Sequence, residues 1–142
     1  MRRAVLDSSV LISAFLTPRG ITADVLRAAA RGAVVICLSA EILTETAAAL
    51  LRHRKLAARY GYTPAEVRAF CDDLAGSAEM VAGLPPLRAV PDDPKDDVIV
   101  APAVAAAAGF LVTGDRKHLL SLGSYRDIRF LGPREFLALL GD

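Results

Sequence analysis

Tryptophan is absent from this chain, and aromatic residues make up only 6% of it. A base-stacking platform of the kind that grips single-stranded nucleic acid is therefore not expected; any such recognition would rest on backbone and shape. Cysteine occurs twice, at Cys37 and Cys71. That spacing fits neither a thiolate metal site nor a redox pair, and Cys37 lies in the apolar run Val34 to Leu38, as a buried thiol would. Histidine also occurs twice, as His53 and His118, which disfavours a zinc site. A charge excess is missing too. The 17 Lys+Arg and 16 Asp+Glu leave a formal net charge of +1, so only the distribution of charge could speak of a polyanionic partner. No apolar run reaches the ~18 residues that suggest a membrane span. Arg2 and Arg3 imitate the start of a secretory leader, but Asp7 interrupts the apolar stretch behind them. A cytoplasmic protein is expected.

What the chain does have is apolar content, 54% with a mean hydropathy of +0.39 over 142 residues. That suits one domain, 1–142, with a core needing no staples. Short β-favouring runs alternate with helical patterns. Strands are expected at Ala4 to Leu6, Val34 to Leu38, Glu79 to Ala82, Phe110 to Thr113 and Ile128 to Leu131. Helices are expected at Ser8 to Leu16, Thr22 to Arg31, Ser39 to about Arg54, Thr63 to about Gly76, Asp96 to Ala108 and Pro133 to Leu140. Thr63-Pro64-Ala65-Glu66 joins a capping box to a proline at the first helical position. Gly32 and Gly109 should close the second and fifth helices, and 83–94 is a proline-rich connection. Pro102 falls inside its helix and should kink it. The β-α-β-α rhythm implies an α/β fold whose parallel sheet carries helices on both faces.

Several acids stand where such a sheet displays functional groups. Asp7 follows the first strand, and Asp115 follows the fourth through Thr113-Gly114. Ligands of open parallel sheets bind beyond the carboxyl ends of strands, where strand order reverses. Asp96 and Asp97 open a helix and could converge on the same pocket. Each has a plainer reading. Asp7 could cap the helix starting at Ser8, Asp115 could be turn chemistry, and Asp92, Asp93, Asp96 and Asp97 could be a solvated loop with acids favoured at a helix N-terminus, the reading kept for Asp92 and Asp93. Glu45 falls opposite the apolar stripe Ile42, Leu43, Ala47, Leu50 and Leu51, with Glu41 and Arg52, so its pattern is that of an exposed acid. Yet Glu41 and Glu45 are a like-charged i,i+4 pair, unfavourable without a cation nearby. Three or four carboxylates from separate elements can hold magnesium or manganese, which take oxygen ligands. Such ions activate water and neutralise charge on a phosphodiester.

Four segments in register resemble the PIN-domain family, and especially its VapC-like toxins of toxin–antitoxin systems. They are Val5-Leu6-Asp7-Ser8-Ser9-Val10-Leu11-Ile12-Ser13-Ala14, Leu38-Ser39-Ala40-Glu41-Ile42-Leu43-Thr44-Glu45, Asp93-Pro94-Lys95-Asp96-Asp97 and Leu111-Val112-Thr113-Gly114-Asp115. The resemblance implies a three-layer α/β/α sandwich with strand order 3-2-1-4-5. It implies a ribonuclease using Mg²⁺ or Mn²⁺ that leaves a 5′-phosphate and a 3′-hydroxyl. Residue by residue, Asp7 matches the first acid, Glu45 the second and Asp115 the fourth. The third is Asp96 when matched on Asp93-Pro94-Lys95, and Asp97 when matched on the Asp-x-x-Ile-Ala pattern. Metal ligation would fall to Asp7, Asp96, Asp97 and Asp115, with Ser9 and Thr113 as supporting hydroxyls. Many relatives carry asparagine where Ser9 stands.

Basic residues follow the acids. Arg52, Arg54, Lys55 and Arg59 come after Glu45, and Arg116, Lys117 and His118 after Asp115. They are candidates for holding an RNA backbone, although each alone reads as a solvated side chain. The expected partners are RNA, a small antitoxin protein and a second copy of the chain. One alternative is a PIN fold kept as a catalytically inactive binding module. A phosphoacceptor signalling domain would need an acidic pair after the first strand and a functional lysine after the last. An aspartate-nucleophile hydrolase would need an aspartate where Ser9 stands.

Overall fold

A computed structural model describes residues 2–82, 97–114, 120 and 122–141, with side chains of 97–99 excepted. The chain opens with β1 (Arg3–Leu6), α1 (Ser8–Leu16), α2 (Ile21–Ala30), β2 (Val35–Ser39) and α3 (Ala40–Arg52). It continues with α4 (Arg54–Tyr60), α5 (Pro64–Ser77), β3 (Glu79–Val81), α6 (Asp97–Ala105) and β4 (Phe110–Val112). It closes with β5 (Ser124–Tyr125), β6 (Ile128–Leu131) and α7 (Pro133–Leu140).

The strands form one sheet in the order β3-β2-β1-β4-β6-β5. The first five in that order are mutually parallel, and the expected order 3-2-1-4-5 is present once β6 is counted as the fifth long strand. The two-residue β5 adds an antiparallel edge that the sequence pattern does not reveal. The steps from β1 to β2 to β3 run one way along the sheet, and the return to β4 crosses it. Right-handed crossovers therefore place the connecting helices on opposite faces. Accordingly α1, α2, α3, α5 and α7 pack against one another in a connected layer, while α6 packs on β1, β2 and β4. Residues 4–6 of β1 and 36–39 of β2 are buried, as strands covered on both faces must be. Leu6, Leu11, Leu38, Ile42, Leu50, Leu111 and Phe136 are among the largest fully buried side chains of the core. Among the described residues no single helix is long and apolar enough to cross a membrane.

Local signals explain most boundaries. The Thr63 capping box forms in full, with Pro64 in the first turn. Gly32, at φ 83°, ends α2 in a left-handed turn. Two expectations need correction. The helix after Ser39 does not run to Arg54: His53 is extended (φ −95°, ψ 91°) and separates α3 from α4. No residue of α4 is buried, so it carries no apolar periodicity to betray it. The helix before Gly109 ends earlier, at Ala105. The amides of Ala107 and Ala108 turn back to the carbonyls of Val104 and Ala103, and Ala107 takes the left-handed position at φ 52°. This is a Schellman closure with alanine where glycine is usual. Pro102 lies within α6. The connection 83–94 lies outside the described residues.

Candidate active site

Strand order reverses between β1 and β4, both of which run parallel and adjacent. Asp7 leaves the carboxyl end of β1 at this point, its amide donating to the carbonyl of Val112 at 3.1 Å. The same residue is the N-cap of α1: its Oδ1 accepts from the amide of Val10 at 3.1 Å. Capping and display are thus one geometry, and the choice between them does not arise. The positive end of the α1 dipole favours an acid there.

Asp7 is only 3% exposed, and hydroxyls surround it. Ser9 donates to Oδ1 at 2.5 Å. Thr113, fully buried at the end of β4, donates to Oδ2 across 106 residues of sequence. Gly114 follows, and a Cβ built on it would stand 3.5 Å from the Ser9 hydroxyl oxygen. The chain leading towards Asp115 therefore passes directly against the residues that hold Asp7.

Glu45 reaches the same end of α1 from the next helix. Ser39 closes β2 and caps α3, its hydroxyl oxygen accepting from the Ile42 amide at 3.2 Å. Of the stripe read from sequence, Ile42 and Leu50 are buried and Leu43 packs on the core, but Thr46 joins them and Leu51 is 45% exposed. Thr46 enters the core because its hydroxyl donates to the Ile42 carbonyl at 2.8 Å. Glu45 is next to this stripe, exposed, and accepts a hydrogen bond from the Ser8 hydroxyl at 2.6 Å. The sequence pattern did not single out Ser8. Its signal would have been the pair of hydroxyls directly behind Asp7.

Beside Thr113 lies a cleft of about 670 Å³, lined by Thr113, Gly114, Leu120 and the residues Gly132 to Glu135 that open α7. A second cavity, about 560 Å³, lies between α1, α2, α4 and α5 and includes Phe15, Tyr62 and Phe70. It borders neither Asp7 nor Glu45.

The PIN domain family model matches residues 3–117, a span that includes every acid considered above. The chain belongs to the PIN-domain family. Among solved structures, this PIN domain is similar to a chain in the crystal structure of VapBC2 from Rickettsia felis bound to a DNA fragment from their promoter. The TM-score is 0.58 and the identity 15%, over 90% of this chain and 96% of that one, so the likeness is one of fold. No curated protein matches the sequence significantly.

Within the PIN domain, hydrogen bonds join Asp7 to Ser9 and Thr113, and Glu45 to Ser8, the residue directly after Asp7. Asp97 stands first in α6, with only its backbone described. Asp96, Asp115, Arg116, Lys117 and His118 lie outside the described residues. Arg52, Arg54 and Lys55 are exposed, Arg52 at the end of α3 and the other two opening α4. Seven helical steps place Arg52 about 10 Å along the axis from Glu45. Among the described residues no three metal-capable side chains cluster. The donors that do meet are carboxylates and hydroxyls from separate elements, an all-oxygen set that suits a hard divalent cation rather than zinc.

Proposed function

We propose that this PIN domain is a ribonuclease acting on RNA phosphodiesters with Mg²⁺ or Mn²⁺, and the toxin of a toxin–antitoxin pair. The observation that carries the reading is Asp7: a buried acid at the reversal of strand order, held by hydroxyls from β4 and α1. A merely structural cap would need the Val10 amide and no more. Asp7, Asp115 and Asp96 or Asp97 would hold the ion, with Glu45 as a further acid at its edge. The ion would supply an activated water and charge neutralisation at phosphorus.

The chain's own contribution is positioning. Ser9 and Thr113 fix the two Asp7 oxygens in place, so the carboxylate meets an incoming cation without rearranging. Burial of Asp7 in a less polar setting strengthens its attraction for a cation. Arg52, Arg54 and Lys55 are exposed on α3 and α4, the helices that follow Ser39. They would hold flanking phosphates of the same strand. The antitoxin partner is supported by the fold likeness to a chain of a VapBC2 complex, and a homodimer is the assembly proposed for the toxin.

The test incubates structured and single-stranded RNA with the protein and Mn²⁺ or Mg²⁺, then determines the product ends. Wild type should leave 5′-phosphates and stop in EDTA. Asp7→Asn and Asp115→Asn should each abolish cleavage while folding normally. Mutants as active as wild type would overturn the site. A well-folded wild type that binds RNA but never cuts it would favour the binding-module reading.

A further inference from the structure

Consecutive serines at the start of α1 serve two different acids. Ser9 donates to Asp7, whereas Ser8 donates to Glu45 at 2.6 Å, 37 residues away. Adjacent helical residues point about 100° apart, so one short segment can brace both. We infer that Ser8 is the positioning residue for Glu45, an inference that rests on the function proposed above.

Nothing in α3 itself aims this side chain. The buried contacts of the helix are made by Ile42, Thr46 and Leu50, and the Thr46 hydroxyl is engaged with the Ile42 carbonyl. Glu45 is exposed, and its bond from Ser8 is the one hydrogen bond its side chain makes among the described residues. A glutamate on an exposed helix face is otherwise free to turn through its rotamers. Ser8 has no such freedom of place. It is the first residue of α1, directly after the buried cap Asp7, so its hydroxyl is carried on the rigid part of the site. A hydroxyl donating to a carboxylate is a strong, directional contact. It holds the carboxylate of Glu45 against the residue that directly follows Asp7.

The test measures Mn²⁺ binding by electron paramagnetic resonance of the free ion, with melting in EDTA as a control for fold. The proteins are wild type, Ser8→Ala, Ser8→Thr, Ser8→Val, Glu45→Gln and the Ser8→Ala/Glu45→Gln double variant. Removing a side chain that orients a site acid typically weakens metal binding tenfold or more. Ser8→Ala should therefore bind Mn²⁺ about tenfold more weakly than wild type, as should Glu45→Gln. Ser8→Thr, which keeps the hydroxyl, should restore binding. Ser8→Val, of nearly the same shape, should not, and this pair decides the matter even if Ser8→Ala melts early. The double variant should bind no more weakly than Glu45→Gln alone. Equal binding by wild type and Ser8→Val, beside weakened binding by Glu45→Gln, would overturn the role of Ser8 and leave the proposed function standing. A wild type that binds no Mn²⁺ would overturn both.

Discussion

Replacing Asp7 by alanine and by asparagine separates its two duties. Alanine removes the α1 cap, a loss of roughly 0.5–2 kcal/mol. It also removes the hydrogen bond that the buried Thr113 hydroxyl donates to Asp7. A hydrogen bond to a charged group contributes about 1.5–3 kcal/mol. The Ser9 hydroxyl is on an exposed residue and can turn to water, so it adds little. The sum is roughly 2–5 kcal/mol. At about 4 °C per kcal/mol for a chain of this size, that lowers the melting temperature by roughly 8–20 °C. Asparagine behaves differently. It caps as well as aspartate does, its oxygen can still accept from Val10 and Ser9, and its amide can donate to a rotated Thr113 hydroxyl. It loses the favourable meeting of a carboxylate with the helix dipole, worth up to ~2 kcal/mol, and gains relief from burying a charge. These oppose each other, so Asp7→Asn should stay within about 1 kcal/mol of wild type. Thermal melts by circular dichroism in EDTA measure both. An alanine variant that melts with wild type would mean the hydroxyl and amide bonds to Asp7 contribute nothing, and the reasoning from geometry would fail.

Two further outcomes lie away from the site. Ala107 occupies the left-handed position at φ 52° and is exposed, a conformation that costs an L-residue roughly 1–2 kcal/mol. Ala107→Gly should therefore gain about 0.5–1 kcal/mol after the entropic cost of glycine, and a lowered denaturation midpoint in urea would contradict the turn assignment. Arg3 bridges Glu79 on β3 and the Ala106 carbonyl beyond α6. The hydrogen bond from Arg3 holds the Glu79 carboxyl below its usual range. A carboxyl depressed in the folded state stabilises above its unfolded pKa, and that stability is lost as pH falls through the folded value. Glu79→Gln should thus melt slightly below wild type at pH 7, with the gap closing below about pH 4. A gap that persists at pH 2.5 would show that the charge of Glu79 is irrelevant.

Elements written in local chemistry were legible from the residues. The Thr63 box, the Gly32 stop and the apolar runs of β1, β2 and β4 each depend on partners a few positions away. So does Asp7 as a cap, since its acceptor bond is to Val10. Failures came where an element buries too little to leave a pattern, as in α4 and the two-residue β5, or where a polar residue takes a core place, as Thr46 does.

The sequence by itself determined the alternation of strands and helices, hence an α/β sheet, and it marked Asp7 and the approach to Asp115 as strand-end positions. Those are consequences of hydrophobic periodicity and capping, which act over a few residues. Only the tertiary structure decided that Thr113 meets Asp7 across 106 positions and Ser8 meets Glu45 across 37. Such meetings depend on β1 lying beside β4 and on α3 packing against α1. Those neighbours are set by burial of the shared core, which constrains apolar faces in the sequence but carries no mark of which hydroxyl will face which acid.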